Sequence, residues 1–223
     1  MTDTATLLRA LQYADSFFPA GGTALSWGVE PLVSDGEIDG LAQLRQFVSA
    51  QLRYRWATFD RWVLRKVHGA ELSEISQIDA LVQSMSLAKA LREGSLRSGQ
   101  ALLGIHARLG LKETREYRGM IAAGEAFGHL AVMQGFIFDR LGLPLDAVEA
   151  ISAHVMVTGF ASSAVRLSHI GAADAQELIR HGRETAEELM RSECSGELPS
   201  AFQPCVEIAC MRHEARASRL FSN

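Results

Sequence analysis

LAQLRQFVSAQLRYRWATFDRWVLRKV, residues 41–67, decides the fold. Leu41, Leu44, Val48, Leu52, Trp56, Phe59, Val63 and Val67 recur at intervals of three or four. At about 3.6 residues per turn, that spacing holds all of them on one face of a helix. Asp39 stands where an N-cap belongs and Gly69 where a helix stops. A helix of this span is roughly 40 Å long at ~1.5 Å per residue. Arg45, Arg53, Arg55, Arg61 and Arg65 fall on the same helix and read as a solvated basic face, or as a contact for an acidic protein partner.

The same periodicity continues on both sides. In 75–110, Leu81, Met85, Ala88 and Leu91 share a face that Leu96, Leu102, Leu103 and Ile105 extend, and Gly94 and Gly99 predict a kink or break over 92–95. Helices are predicted over about 127–141, 145–169 and 174–192; 194–204 is a loop, and 205–223 is helical in pattern. No stretch alternates in the manner of a strand, and no repeat or linker composition divides the chain. The expectation is an all-α protein: one globular domain over 1–223 of roughly eight to ten packed helices.

Totals exclude several classes. The 223 residues are 48% apolar and 22% charged, enough for a sizeable core without metals or disulfides. A formal net charge of −4 gives no general attraction for nucleic acid. Three cysteines, Cys194, Cys205 and Cys210, do not make a disulfide scaffold. No secretory signal opens the sequence, and the longest uncharged run, near 151–165, is short for a membrane span. The reading is cytoplasmic, with neither nucleic acid nor membrane as partner.

Catalytic chemistry finds little footing. Gly21 and Gly22 lack the lysine and hydroxyl of a phosphate loop, and no GxSxG, CxxC or HExxH is present. Cys205, Cys210 and His213 are the candidate metal group, with buried cysteines and an interface histidine as the alternative. His129 and His154 are candidates for an enzyme site, with buried, hydrogen-bonded histidine as the commoner fate. The pairs Glu71/Glu74 and Glu187/Glu188 read as solvated faces.

Two stretches suggest contacts with other polypeptides. In 156–171, Gly159, Ala161, Ser162, Ser163 and Ala164 allow close helix approach, inside the domain or at a subunit interface. In the final residues, Ile208, Met211, Ala215, Leu220 and Phe221 are interleaved with Arg212, His213, Glu214, Arg216 and Arg219. Apolar anchors ringed by arginine suit a helix in a partner's groove; folding back onto the chain's own domain is the alternative.

Taken in order, these residues resemble the urease accessory protein F family. The opening, 7–30, is similar to that family's leucine-rich start and Asp-Ser-x-x-Pro-x-Gly turn at Asp15, Ser16, Pro19 and Gly21, closing on Ser26, Gly28 and Glu30. Arg92, Glu93, Ser95 and Gly99, then His129 and Gly135, then Arg166, Gly171 and Gln176 match further segments. Met211–Glu214 and Arg219–Phe221 match the tail. Thr23, Leu25 and Ala172 depart from the pattern. The resemblance implies an all-helical, non-enzymatic scaffold or chaperone, a homodimer. It would meet a D/H-type accessory protein and a G-type GTPase, and through them apo-urease, to install nickel. Nickel and GTP would be handled by those partners, with no cofactor bound directly. It places partner contacts at Ser26, Gly28, Glu30 and in a docking segment of about 204–223, and dimer or close-packing contacts at Gly159, Ala161, Ser162 and Arg166. The turn at 15–22 would be pinned by Phe17 and Phe18, with Trp27 in the core. Alternatives are a nickel carrier using Cys205, Cys210 and His213, and a maturation factor for another metalloenzyme.

Overall fold

The computed structural model describes residues 3–19, 25–194, 196–213 and 220–221. The 41–67 stretch is one continuous helical rod. It is α-helical over Leu41–Gln51 (α3), widens to a π-helix over Leu52–Asp60, and returns to α over Arg61–Val67 (α4). Backbone angles stay helical at both joints, φ −62° and ψ −41° at Gln51 and φ −62° and ψ −39° at Arg61. The expected stripe is buried from Leu44 to Val67, with Leu41 packed at its edge. Its start differs from expectation: Gly40, not Asp39, is the N-cap, and its N–H donates to His169 Nε2 at 2.7 Å.

The solvated basic face holds for Arg45 and Arg53, which pair with Glu177 and Glu188 on the surface, and fails at Arg61. Trp62 and Leu64, off the stripe, are buried too, so this part of the rod is enclosed on every side. Arg61 is carried inside, where it meets Glu149 at 3.0 Å and donates to the carbonyls of Leu189, Met190 and Ser192.

The other helices are Thr4–Ala14 (α1), Val29–Ser34 (α2), Leu72–Met85 (α5), Lys89–Arg108 (α6), Glu113–Ala123 (α7), Leu130–Arg140 (α8), Leu145–Arg166 (α9), Ala172–Arg191 (α10) and Pro204–His213 (α11); the described residues contain no strand. The helix does not break over 92–95. α6 runs through it, and the chain breaks earlier, between Met85 and Lys89. Gly99 serves contact rather than bending: a Cβ there would lie 2.2 Å from the Gly128 carbonyl oxygen. Glu71 and Glu74 form a capping box at the start of α5.

The core has two parts. One gathers α2, α3, the second half of α9, α10 and α11; the other gathers α4 to α8 and the first half of α9. The 41–67 rod and α9 run through both and tie them together. α9 is long and apolar enough, by length and composition, to cross a membrane, but 56% of that stretch is buried within the protein.

Asp79 on α5 organises the turn between α7 and α8. Its buried carboxylate accepts from Tyr117 Oη at 2.9 Å and from the N–H groups of Phe127, Gly128 and His129 at 2.8, 2.6 and 3.1 Å. The His129 ring is buried between Ser95 and Gln83, at 3.1 and 2.8 Å. His106 is buried against Tyr13 and Phe18. Burial pushes both histidines down to about 4. Between about pH 6.5 and pH 4 the unfolded chain therefore binds protons that the folded chain refuses, so stability falls as pH falls. The loss is fully developed below about pH 4 and amounts to roughly 3 kcal/mol per histidine at most. Urea midpoints measured across that window should drop, and His106→Phe should flatten part of the drop.

Candidate functional site

The opening motif and the C-terminal segment meet. Trp27 and Gly28 both take left-handed backbone angles, φ 52° and 95°, and Gly28 starts α2. Only glycine fits at 28: besides the angle, a Cβ would lie 2.5 Å from Val206 Cγ1 on α11. Two residues on, Glu30 is buried. Its oxygens accept from the N–H groups of Leu220 and Phe221 at 2.6 and 3.2 Å, and His213 Nε2 lies 3.2 Å away. The Phe221 ring is buried beneath the Arg166 guanidinium, 4.2 Å from its carbon to the ring centre.

Most of the singled-out residues thus reach one place, with altered roles. Ser26, Gly28, Glu30, His213 and Phe221 are interior in the isolated chain. Arg212 is exposed, as are Ile208, Met211 and Leu220. Glu214, Arg216 and Arg219 lie outside the described residues. Arg166, grouped by sequence with the small-residue stretch, belongs to the Phe221 contact. Ala161 is in the core, while Gly159 and Ser162 line a cavity. The nearest atom to a Cβ on Gly159 would be Trp27 Cδ1 at 4.0 Å, so among the described residues of this chain no helix presses there. The tight α9–α10 approach is at Gly182, where a Cβ would stand 2.6 Å from Val157 Cγ1.

That cavity, of about 520 Å³, lies between the two parts of the core. Its lining is largely apolar, with the Arg55–Asp60 ion pair, Gln134 and several serine hydroxyls. Phe18 pins the 15–19 turn by packing on Tyr13 and His106. Phe17 does not: it is 93% exposed, and its N–H donates to Asp15 Oδ1. Cys205 is exposed and Cys210 buried, and His213 faces Glu30. Among the described residues no group of three or more His, Cys, Asp or Glu side chains could hold a metal ion. His129 is committed to its hydrogen bonds, and His154 faces outward.

Sequence reasoning missed the depth of Glu30 and the ring contact of Arg166. Both depend on contacts more than fifty residues away in sequence. The one available signal was the coincidence of an acid in the opening motif with apolar residues at the far end of the chain.

Residues 38–182 match the family model described as UreF. A protein of Paenarthrobacter aurescens named urease accessory protein UreF is 32% identical, with 98% of this chain and 99% of that protein covered. Proteins of the same name from Arthrobacter sp. and Kocuria rhizophila are 32% and 30% identical, over 96% and 97% of this chain and the same shares of their own. With a helical fold that brings the family-like opening and tail together, and a match over more than half its length, the chain belongs to the UreF family of urease accessory proteins.

Proposed function

We propose that this chain is a non-enzymatic scaffold in urease maturation and that α11 carries its docking surface for a D/H-type accessory protein. The observation behind this is the two-faced character of α11. Val206, Ala209, Cys210 and His213 are buried against the chain's own core. Ile208 and Met211, one turn apart, are about half exposed, and Leu220 adds a third apolar group to the same end of the chain. The inner face anchors the helix, and the outer face is free to be covered. Glu30, Gly28 and Arg166 act by holding that helix and Phe221 in place. In this reading the protein works as a homodimer in the cytoplasm. It joins the D/H-type protein to the GTPase and to apo-urease, and nickel and GTP reside on those partners.

The test is a pull-down with the D/H-type accessory protein. Ile208→Glu and Met211→Glu change exposed positions and should move the urea midpoint little. Each should weaken binding at least tenfold, as expected for an apolar anchor at an interface centre. Parental affinity in both variants would remove the outer face of α11 from the mechanism.

A further inference from the structure

The chain from Leu198 to Met211 has an inner and an outer side throughout. Over 198–202 the two alternate residue by residue. Pro199 is buried and Ala201 packs on the core, while Leu198 and Phe202 are 65% and 75% exposed. Two main-chain bonds fix this stretch to the 41–67 rod. Ser200 N–H donates to the Thr58 carbonyl at 3.0 Å, and Phe202 N–H to the Tyr54 carbonyl at 2.9 Å. From Pro204 the pattern becomes helical: Val206, Ala209 and Cys210 are buried, and Ile208 and Met211 are about half exposed. Pro204 and Cys205, both exposed, join Phe202 to Ile208.

The inner residues and the main-chain bonds hold this stretch without help from the outer ones. A polar side chain at 198 or 202 would serve the fold as well as leucine or phenylalanine. Yet four of the thirteen large apolar side chains exposed among the described residues fall in these fourteen positions. Tyr54, 55% exposed, stands across the main-chain bond from Phe202. Single exposed leucines are ordinary, whereas a cluster of this kind marks a contact surface.

Charge has the same distribution. Glu207 is the one charged residue from 198 to 211, and it is half-buried and lines the cavity. Glu197 and Arg212, both exposed, bound the stretch at its two ends. An uncharged apolar centre bounded by charge is the composition of an interface core and its rim.

We propose that the D/H-type accessory protein covers the outer side of 198–211 as one surface, with the Phe202 ring as an aromatic anchor and Tyr54 at its margin. This rests on the docking role given to α11 above and extends it to the segment before that helix. A partner seated on Ile208 and Met211 continues onto Phe202 without meeting a charge. The partner face that fits is apolar and has a pocket for a phenyl ring. The backbone under Phe202 is already fixed, so the contact costs little ordering on binding.

Hydroxyl-radical footprinting of the full chain, alone and with the D/H-type protein, reads the surface without any variant having to fold. Oxidation of Phe202 and Tyr54 should slow at least threefold in the complex, together with that of Met211. Phe202→Asp and Leu198→Asp keep the main-chain bonds named above. Isothermal titration should show binding at least tenfold weaker in the first and at least threefold weaker in the second. The urea midpoint and the mass of the chain alone should stay at parental values. Leu109→Asp, a comparably exposed leucine at the end of α6, should bind as the parent does.

Protection of Met211 while Phe202 and Tyr54 oxidise as in the free chain would overturn the extension and leave α11 as the docking helix. So would parental affinity in both aspartate variants where Ile208→Glu weakens binding. Protection at none of the three positions would remove α11 as well. A smaller mass for Phe202→Asp alone, with parental affinity for the D/H-type protein, would assign the surface to a second copy of this chain and overturn the proposal.

Discussion

Asp79→Ala is expected to leave little folded protein at 37 °C. The carboxylate takes four donors, three of them main-chain N–H groups in the turn that leads into α8. Alanine removes every acceptor at once and leaves the donors buried. Each unsatisfied buried group costs about 1–3 kcal/mol. Even with relaxation the sum should reach about 4 kcal/mol, a large share of the 5–15 kcal/mol that holds a typical domain. Asp79→Asn keeps one acceptor oxygen but turns an NH2 toward donors, so it should fall between parent and alanine. Urea denaturation of the three proteins orders them. An alanine variant within about 1 kcal/mol of parent, well below that unsatisfied-donor cost, would show that the turn is held by something else.

The second large effect is at Arg61. Its guanidinium joins Glu149, on α9, to the carbonyls that end α10, and arginine and glutamate side chains are each 2% exposed. Arg61→Met leaves Glu149 buried with only the half-exposed Arg65, 2.6 Å from its other oxygen. Breaking such a pair from one side typically costs about 3–5 kcal/mol. The double variant Arg61→Met/Glu149→Leu removes the stranded charge as well. It should be more stable than Arg61→Met alone, though below parent, because the α10 carbonyls stay without a donor. A double variant no better than the single would mean that the carbonyls, not the carboxylate, dominate the loss.

These two sites show what a sequence does and does not disclose. The stripe from Leu44 to Val67 was legible because burial on one helix face repeats with the helix period. Arg61 was not, because a residue off the stripe is read as solvated, and only Trp62 and Leu64 beside it hinted that this short part of the rod is enclosed. The π register was equally hidden: apolar spacings of three and four through Leu52, Trp56 and Phe59 suit either helix. Gly94 and Gly99 were read as breakers on propensity alone, whereas Gly99 sits where the Gly128 carbonyl needs room, and tertiary contact prevails over propensity. α7 escaped notice because only Thr114 and Tyr117 of its residues are buried, too few to mark a stripe.

The candidate site was legible as two ends and illegible as one place. Glu30 and Phe221 were each singled out, but their hydrogen bond spans 191 positions, and periodicity carries no information at that range. The contact also changes what the tail does. Phe221 and His213 hold the C-terminal segment to the opening motif, and the outer side of α11, with Ile208 and Met211, stays exposed.

Co-purification of the full chain with a D/H-type urease accessory protein, with mass determined by light scattering on the eluting species, tests the scaffold role most directly. One stable species containing both proteins is expected at micromolar concentration, lost in Ile208→Glu/Met211→Glu while the chain stays folded. Two proteins eluting separately, each at its own mass, would contradict it.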